Sequence, residues 1–184
     1  MNPLRAGMIL GTILLASCNN VKKQYTANEL LEKASQDNNL NAGRGKFSID
    51  APTGWQKSDT AVNGIQIIFF LGPTIDNGFR ENMNVLSESM QGRSLDSYFY
   101  ASISSMGNYL QNFSAGAKGE LDIDGIHCKW LQYTHQLNGF DIDVIWYVIP
   151  KNGIAYLITC SALKGRIEAY RAKFEEAIKT FRLS

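Results

Sequence analysis

The side chains best suited to acid–base chemistry in this sequence lie on either side of one short turn. Asp122 precedes the turn and His127 follows it, and a carboxylate facing an imidazole can orient the ring for proton transfer. A catalytic pair of this kind also needs a nucleophile, and the adjacent thiol of Cys128 points to the opposite face of a strand from His127. We therefore interpret Asp122 and His127 as a cross-strand charge pair, with a catalytic role as the alternative.

The turn between these two residues is one of three that set the positions of the surrounding strands. Asp-Gly and Asn-Gly pairs supply the positive φ angles that two-residue hairpin turns require. Such pairs recur every 14 residues, at 124–125, 138–139 and 152–153. The antiparallel strands that they predict are 118–123, 126–137, 140–151 and 154–161. In this register Asp122 opposes His127, and Glu120 opposes Lys129 two residues further along.

The same register argues against a metal site. His127 and His135 share one face of one strand, but eight residues at about 3.3 Å each separate them by roughly 26 Å. The aspartates near them divide between opposite ends of the four strands, and the sequence contains none of the common spaced metal-ligand motifs. We expect neither a bound metal nor a cofactor.

Cys128 and Cys160 are expected to remain free thiols in the core. The register places Cys128 level with Tyr156, which lies two strands away. Cys160 lies four residues further along the strand that contains Tyr156. That separation is about 13 Å along the strands and about 10 Å across them, whereas a disulfide needs Cα atoms within about 7 Å. Motifs of serine hydrolases, phosphate-binding loops and dinucleotide-binding folds are missing from the sequence. We therefore predict no disulfide and no enzymatic activity.

The start of the chain predicts export and lipid attachment. Arg5 and the apolar run Met8–Ala16 form a signal peptide, and this run is shorter than the about 20 residues of a membrane-spanning helix. Residues 15–18 (LASC) resemble the bacterial lipobox, which implies a diacylglyceryl group on Cys18 and cleavage just before it. Several acyl chains at about 0.8 kcal/mol per buried methylene form a stable anchor. The alternative is an ordinary signal peptide followed by a chance cysteine.

Three regions follow from this interpretation: a signal peptide over 1–17, a lipidated tether with a short helix over 18–45, and one folded domain over 46–184. Without Arg5 the mature chain has 17 basic residues (18 − 1) and 17 acidic residues. A neutral chain has no long-range field that attracts nucleic acid, so we expect no nucleic-acid partner. Asn19 stands where aspartate resembles an inner-membrane retention signal of Gram-negative lipoproteins, which favours the outer membrane, facing the periplasm.

The folded domain is predicted to combine two amphipathic helices with an antiparallel sheet. Apolar residues at steps of three and four form two stripes, Leu95, Phe99, Ile103, Met106, Leu110 and Phe113 in the first and Ile167, Tyr170, Phe174, Ile178 and Phe181 in the second. Further strands are expected at 46–51, 65–71 and 83–89. The fold class is therefore α+β, an antiparallel sheet of six or seven strands flanked by helices.

Six aromatic residues could line a ligand pocket, but their expected positions on strands beneath helices favour the core. They are Trp55, Trp130, Trp146, Tyr133, Tyr147 and Tyr156.

The order of several short motifs resembles that of the PsbP-like, Mog-like and DcrB-like proteins. The matching segments are 47–55 (FSIDAPTGW), 81–85, 94–98, 153–159 and 174–181. The resemblance covers 46–184 and implies an α/β/α sandwich around an antiparallel sheet. It also implies a binding or assembly factor, and it carries no functional residue over to this chain.

Together these features predict a membrane-anchored lipoprotein of the cell envelope that acts as a non-catalytic binding, assembly or stability module for an envelope protein. The alternative is an envelope protein that binds a small molecule or a lipid, with or without hydrolysis, in a pocket between sheet and helix.

Overall fold

A computed structural model describes residues 47–62, 65–73 and 78–183. The predicted signal peptide, Cys18, the tether and its short helix lie outside the described residues. In chain order the elements are β1 (Phe47–Ser48), β2 (Gln56–Val62), β3 (Ile65–Leu71), β4 (Asn82–Ser89), α1 (Leu95–Tyr109), β5 (Gln111–Ile123), β6 (Ile126–Leu137), β7 (Phe140–Lys151), β8 (Ile154–Leu163), α2 (Ile167–Lys179) and β9 (Arg182–Leu183). Within the described part of the chain, neither helix is long and apolar enough to cross a bilayer.

Seven of the strands form one antiparallel sheet in the order β2-β3-β4-β8-β7-β6-β5. β1 and β9 pair separately and bring the two ends of the described chain together. The sequence prediction of an antiparallel sheet of six or seven strands is confirmed.

The three predicted turns have the backbone that a two-residue hairpin requires. Asp124, Asn138 and Asn152 have φ angles of 52°, 52° and 51°, and the glycine after each has a φ between 73° and 81°. Two successive positive φ angles match the right-handed twist of the flanking strands. The predicted register is confirmed: Asp122 lies opposite His127 and Glu120 opposite Lys129.

One helix covers each face of the sheet. On the α1 face Phe99 stacks on Trp146, with ring centroids 5.6 Å apart and planes 9° apart. On the other face α2 packs Phe174 and Ile178 into a second cluster, which contains Cys128. Two apolar cores on opposite faces make the domain an α/β/α sandwich. Five of the six named aromatic residues are buried, as expected, and Trp130 is partly exposed.

Both predicted helices end earlier than their apolar stripes. α1 ends at Tyr109, and Leu110 and Phe113 lie beyond it, although both still contact the same core as the helix. The stripe continues because the chain enters β5 while staying against one apolar surface. Phe181 likewise lies two residues beyond the end of α2 and is fully buried.

The strand predictions were incomplete at the edges of the sheet. β2 was missed, because four of its residues, 56–59, are exposed and polar, and an edge strand needs no apolar alternation to pair. β5 begins at residue 111 instead of 118. Its first half carries two irregularities in the pairing with β6, and its small exposed residues give no strand pattern. β1 covers only two residues of the predicted 46–51.

Candidate functional site

Asp122 and His127 belong to a larger charged cluster at the turn end of the β5–β6 hairpin. We define the Lys129 cluster as Asp96, Glu120, Asp122, His127 and Lys129. Four of its members come from facing positions on β5 and β6, where every second side chain points towards α1. Asp96 comes from the first turn of α1, where the helix dipole favours a negative charge.

Lys129 joins the two halves of the cluster. Its Nζ lies 2.7 Å from Oδ1 of Asp96 and 2.5 Å from Oε1 of Glu120, and its side chain is only 8% exposed. Hydrogen bonds to Asp96 and then to Glu120 raise the pKa of Lys129. The hydrogen bond that Lys129 donates lowers the pKa of the Glu120 carboxyl. The ammonium group therefore connects α1 to the β5–β6 hairpin through two carboxylates.

His127 lies between two carboxylates, and its side chain is 58% exposed. Its Nδ1 lies 3.6 Å from Oδ1 of Asp122, and its Nε2 lies 3.3 Å from Oε2 of Glu120. Each ring nitrogen therefore faces a carboxylate of β5, an arrangement that can orient the ring. Among the described residues, no three potential ligands lie close enough together to hold a metal ion.

The thiols lie away from this cluster. Cys128 is buried on the α2 face, where its Sγ donates to the carbonyl oxygen of Ile126 at 3.0 Å. Burial raises the pKa of Cys128 to about 12, and burial also raises the pKa of Cys160 well above its usual value. Both cysteines are free and buried in this structure. Neither side chain supplies a nucleophile to His127.

His135 lies in the interior on the same strand as His127. It is 3% exposed, its ring centroid lies 5.7 Å from that of Tyr133, and Nδ1 lies 3.2 Å from the carbonyl oxygen of Gln136. Burial lowers the pKa of His135 to about 4. The structure therefore gives the two histidines different environments: an exposed position between two carboxylates for His127 and the core for His135.

Tyr100 is a feature of this region that the sequence analysis missed. Its side chain is 50% exposed, and it is the only exposed large apolar residue in the described part of the chain. Its ring contacts Phe99 edge-on, with centroids 5.6 Å apart, and the Nζ atoms of Lys118 and Lys129 lie 5.0 and 5.7 Å from its centroid. The signal that could have found it is its position directly after a core residue of the helical stripe, which points its ring outward.

A second polar contact joins α2 to the other side of the sheet. Nη1 of Arg166, at the start of α2, lies 3.5 Å from Oε1 of Glu81, which is buried just before β4. Nη2 of Arg166 donates to the hydroxyl of Tyr170 at 3.1 Å. These contacts hold the start of α2 against the sheet, and we interpret them as structural.

The comparisons with known proteins identify the fold. No family model matches the sequence, and no curated protein matches it significantly. The structure of LpqN from Mycobacterium tuberculosis, described as involved in cell envelope biogenesis, is similar with a TM-score of 0.58 and 13% identity, over 89% of this chain and 99% of that chain.

Two further structures are similar over most of their lengths. Cyanobacterial PsbP (CyanoP) from Synechocystis sp. PCC 6803 has a TM-score of 0.52 and 14% identity, over 78% of this chain and 95% of its own. The Ran-binding protein Mog1p from Saccharomyces cerevisiae has a TM-score of 0.53 and 11% identity, over 76% and 90%. The domain therefore has the PsbP-like and Mog-like fold that its motif order predicted, and a fold by itself does not determine function.

Proposed function

We propose that this chain is a lipid-anchored protein of the cell envelope that acts as a non-catalytic module for binding or assembling another envelope protein. The observation that carries the proposal is the Lys129 cluster. Both nitrogens of His127 and the ammonium group of Lys129 are already engaged by carboxylates of the same domain. Such an arrangement gives the domain an ordered, charged surface of the kind that a protein partner recognises.

The solved structures that are similar to this domain support a role in binding or assembly. LpqN is described as involved in cell envelope biogenesis, and Mog1p is described as a Ran-binding protein. The first description agrees with an envelope location and the second with a protein-binding role for this fold. At 11% to 13% identity these proteins share the fold alone with this chain.

The location rests on the N-terminal sequence. Residues 15–18 match the pattern of a lipobox, and lipid on Cys18 would hold the domain at a membrane through the tether. Asn19 favours the outer membrane, with the domain in the periplasm, if the envelope is Gram-negative. Metabolic labelling with an alkyne fatty acid should label the wild-type chain and leave the C18S variant unlabelled.

Crosslinking in intact cells tests the binding role. Cells expressing the tagged chain are treated with a lysine-reactive crosslinker, and the captured proteins are identified by mass spectrometry. We expect one recurrent envelope protein, recovered in replicate cultures and lost from C18S cells, because the unanchored chain no longer lies at the membrane. Recovery of only abundant neighbours, in proportions that do not differ between the wild type and C18S, would contradict the proposal.

A further inference from the structure

Tyr100 and the charged residues around it form one continuous exposed surface. We define the Tyr100 surface as Asp96, Tyr100, Lys118, Glu120 and Asp122. Lys118 approaches the face of the Tyr100 ring, and Asp96 and Glu120 meet at the ammonium group of Lys129, whose Nζ lies 5.7 Å from that ring. Asp122 extends the surface along β5 through His127. Tyrosine is one of the residues enriched in protein-binding hot spots.

The Tyr100 ring is supported on one side by the core. Phe99, against which it packs edge-on, is itself buried and stacked on Trp146 of β7. The buried ammonium group of Lys129 holds the carboxylates of Asp96 and Glu120 in place. Docking on this surface therefore costs little additional side-chain entropy, because its central groups are already ordered.

The exposed charge of the surface is acidic. Asp96, Glu120 and Asp122 are each more than half exposed, and against these three carboxylates stand the exposed Lys118 and the enclosed Lys129, which leaves one unbalanced negative charge when the exposed His127 is neutral. Asp96 and Asp122 each use one oxygen, Oδ1, in these contacts. A guanidinium group can pair with a carboxylate through two hydrogen bonds and can also stack on a tyrosine ring.

From this arrangement we infer that the Tyr100 surface is the docking site of the envelope protein partner, and that the partner contributes an arginine- or lysine-containing segment. The charged end of the basic side chain pairs with the exposed carboxylates, and the aliphatic part of the same side chain covers the Tyr100 ring. This inference rests on the proposed binding function and names the site and the chemistry of the partner.

Site-specific photocrosslinking in cells tests this inference. A photoreactive phenylalanine analogue replaces Tyr100 in the full-length, anchored chain, and the same analogue at Glu176, which is exposed on α2 across the sheet, serves as the control. We expect a partner crosslink from position 100 and not from position 176, at a partner segment that contains arginine or lysine.

Substitutions then separate the contribution of each group. Y100A and D122R should each lower the yield of that partner in the lysine-reactive crosslinking about tenfold, whereas Y100F and the α2 charge-reversal control E176R should leave the yield unchanged. Circular dichroism verifies that each variant is folded. Since Tyr100 and Asp122 are exposed, the substitutions are expected to preserve the domain.

The possible failures are distinguishable. If the partner is crosslinked from position 176 and not from 100, or through a segment without a basic residue, the inference is wrong while the binding function stands. If neither position nor the lysine-reactive reagent recovers a recurrent partner, the proposed function itself is contradicted.

Discussion

Lys129 and Asp96 are 33 residues apart in sequence (129 − 96), and a 2.7 Å contact between Nζ and Oδ1 joins them across the α1 face of the sheet. The contact connects the β5–β6 hairpin to the first turn of a helix whose N-terminus is also capped by Ser94. Since Glu120 shares the same ammonium group, one enclosed cation links α1, β5 and β6. The exposed surface around Tyr100 depends on this arrangement.

The K129M variant should be less stable than the wild type by about 1 to 2 kcal/mol, because methionine retains the apolar stem but removes two charge-assisted hydrogen bonds from a mostly enclosed group. The expected measurement is the free energy of unfolding from urea titrations at neutral pH. The exposed neighbour provides the control: K118M should change the free energy of unfolding by less than about 0.5 kcal/mol. Equal effects of the two substitutions on the free energy of unfolding would show that the contacts of Lys129 do not stabilise the domain.

His135 should make the domain sensitive to mild acid. Its pKa is lowered to about 4 in the folded state, whereas in the unfolded chain it is about 6.5. The unfolded state therefore binds a proton first as the pH falls, so the stabilising contribution is complete above about pH 6.5 and is lost progressively down to about pH 4. A difference of this size corresponds to about 3 kcal/mol.

The test compares urea unfolding of the wild type and H135Q between pH 7.5 and pH 4. Carboxylates also titrate in this range, so the informative quantity is the difference between the two pH profiles. The free energy of unfolding of the wild type should fall more steeply below about pH 6.5 than that of H135Q. Parallel profiles would contradict burial of a neutral imidazole at this position.

Two glycine substitutions should act in opposite directions. Gly139 has a φ of +81° in the turn between β6 and β7, where an alanine side chain is strained, so G139A should lower the free energy of unfolding by about 1 kcal/mol. Gly107 lies in α1, and an added Cβ would make only an ordinary 3.8 Å contact with Phe113. G107A should therefore raise stability by up to about 1 kcal/mol, because alanine is the better helix former. A stabilising G139A would contradict the turn that sets the register of this hairpin.

The core thiols should be inert in the native state. In the C18S variant, Cys128 and Cys160 are the remaining cysteines, and both are buried with raised pKa values. Because the thiolate is the reactive form, a disulfide reagent at pH 8 should label neither residue in the folded protein and both residues in denaturant. Rapid labelling of the native protein, or the loss of both thiols during purification without reductant, would contradict their placement.

The sequence predicted the centre of the fold better than its edges. The turns at 124–125, 138–139 and 152–153 could be identified because positive φ angles restrict the residue types that a hairpin tolerates. These turns fixed the register, and the register correctly placed Asp122 opposite His127. β2 was missed because its backbone pairing with β3 needs no apolar side chains, and the sequence pattern records side chains alone.

The candidate site was predicted only in part. The cross-strand pairs followed from local register, but the contact of Asp96 with Lys129 depends on how α1 lies across the sheet, which no short sequence pattern specifies. Tyr100 was missed for a related reason: its neighbour Phe99 accounts for the helical stripe, and the exposure of the next residue follows only once the packing of α1 is known. Both the contact of Asp96 with Lys129 and the exposure of Tyr100 result from tertiary packing between segments that are distant in sequence.

The most direct measurement of the proposed role is the composition of the complex that the anchored chain forms. The wild-type chain is isolated from gently solubilised membranes and compared with Y100A by quantitative mass spectrometry. The proposal predicts one envelope protein at a constant ratio to the wild-type chain, depleted about tenfold with Y100A. A wild-type chain that is isolated alone, with no protein enriched over the Y100A sample, would contradict the assignment of this domain as a binding module.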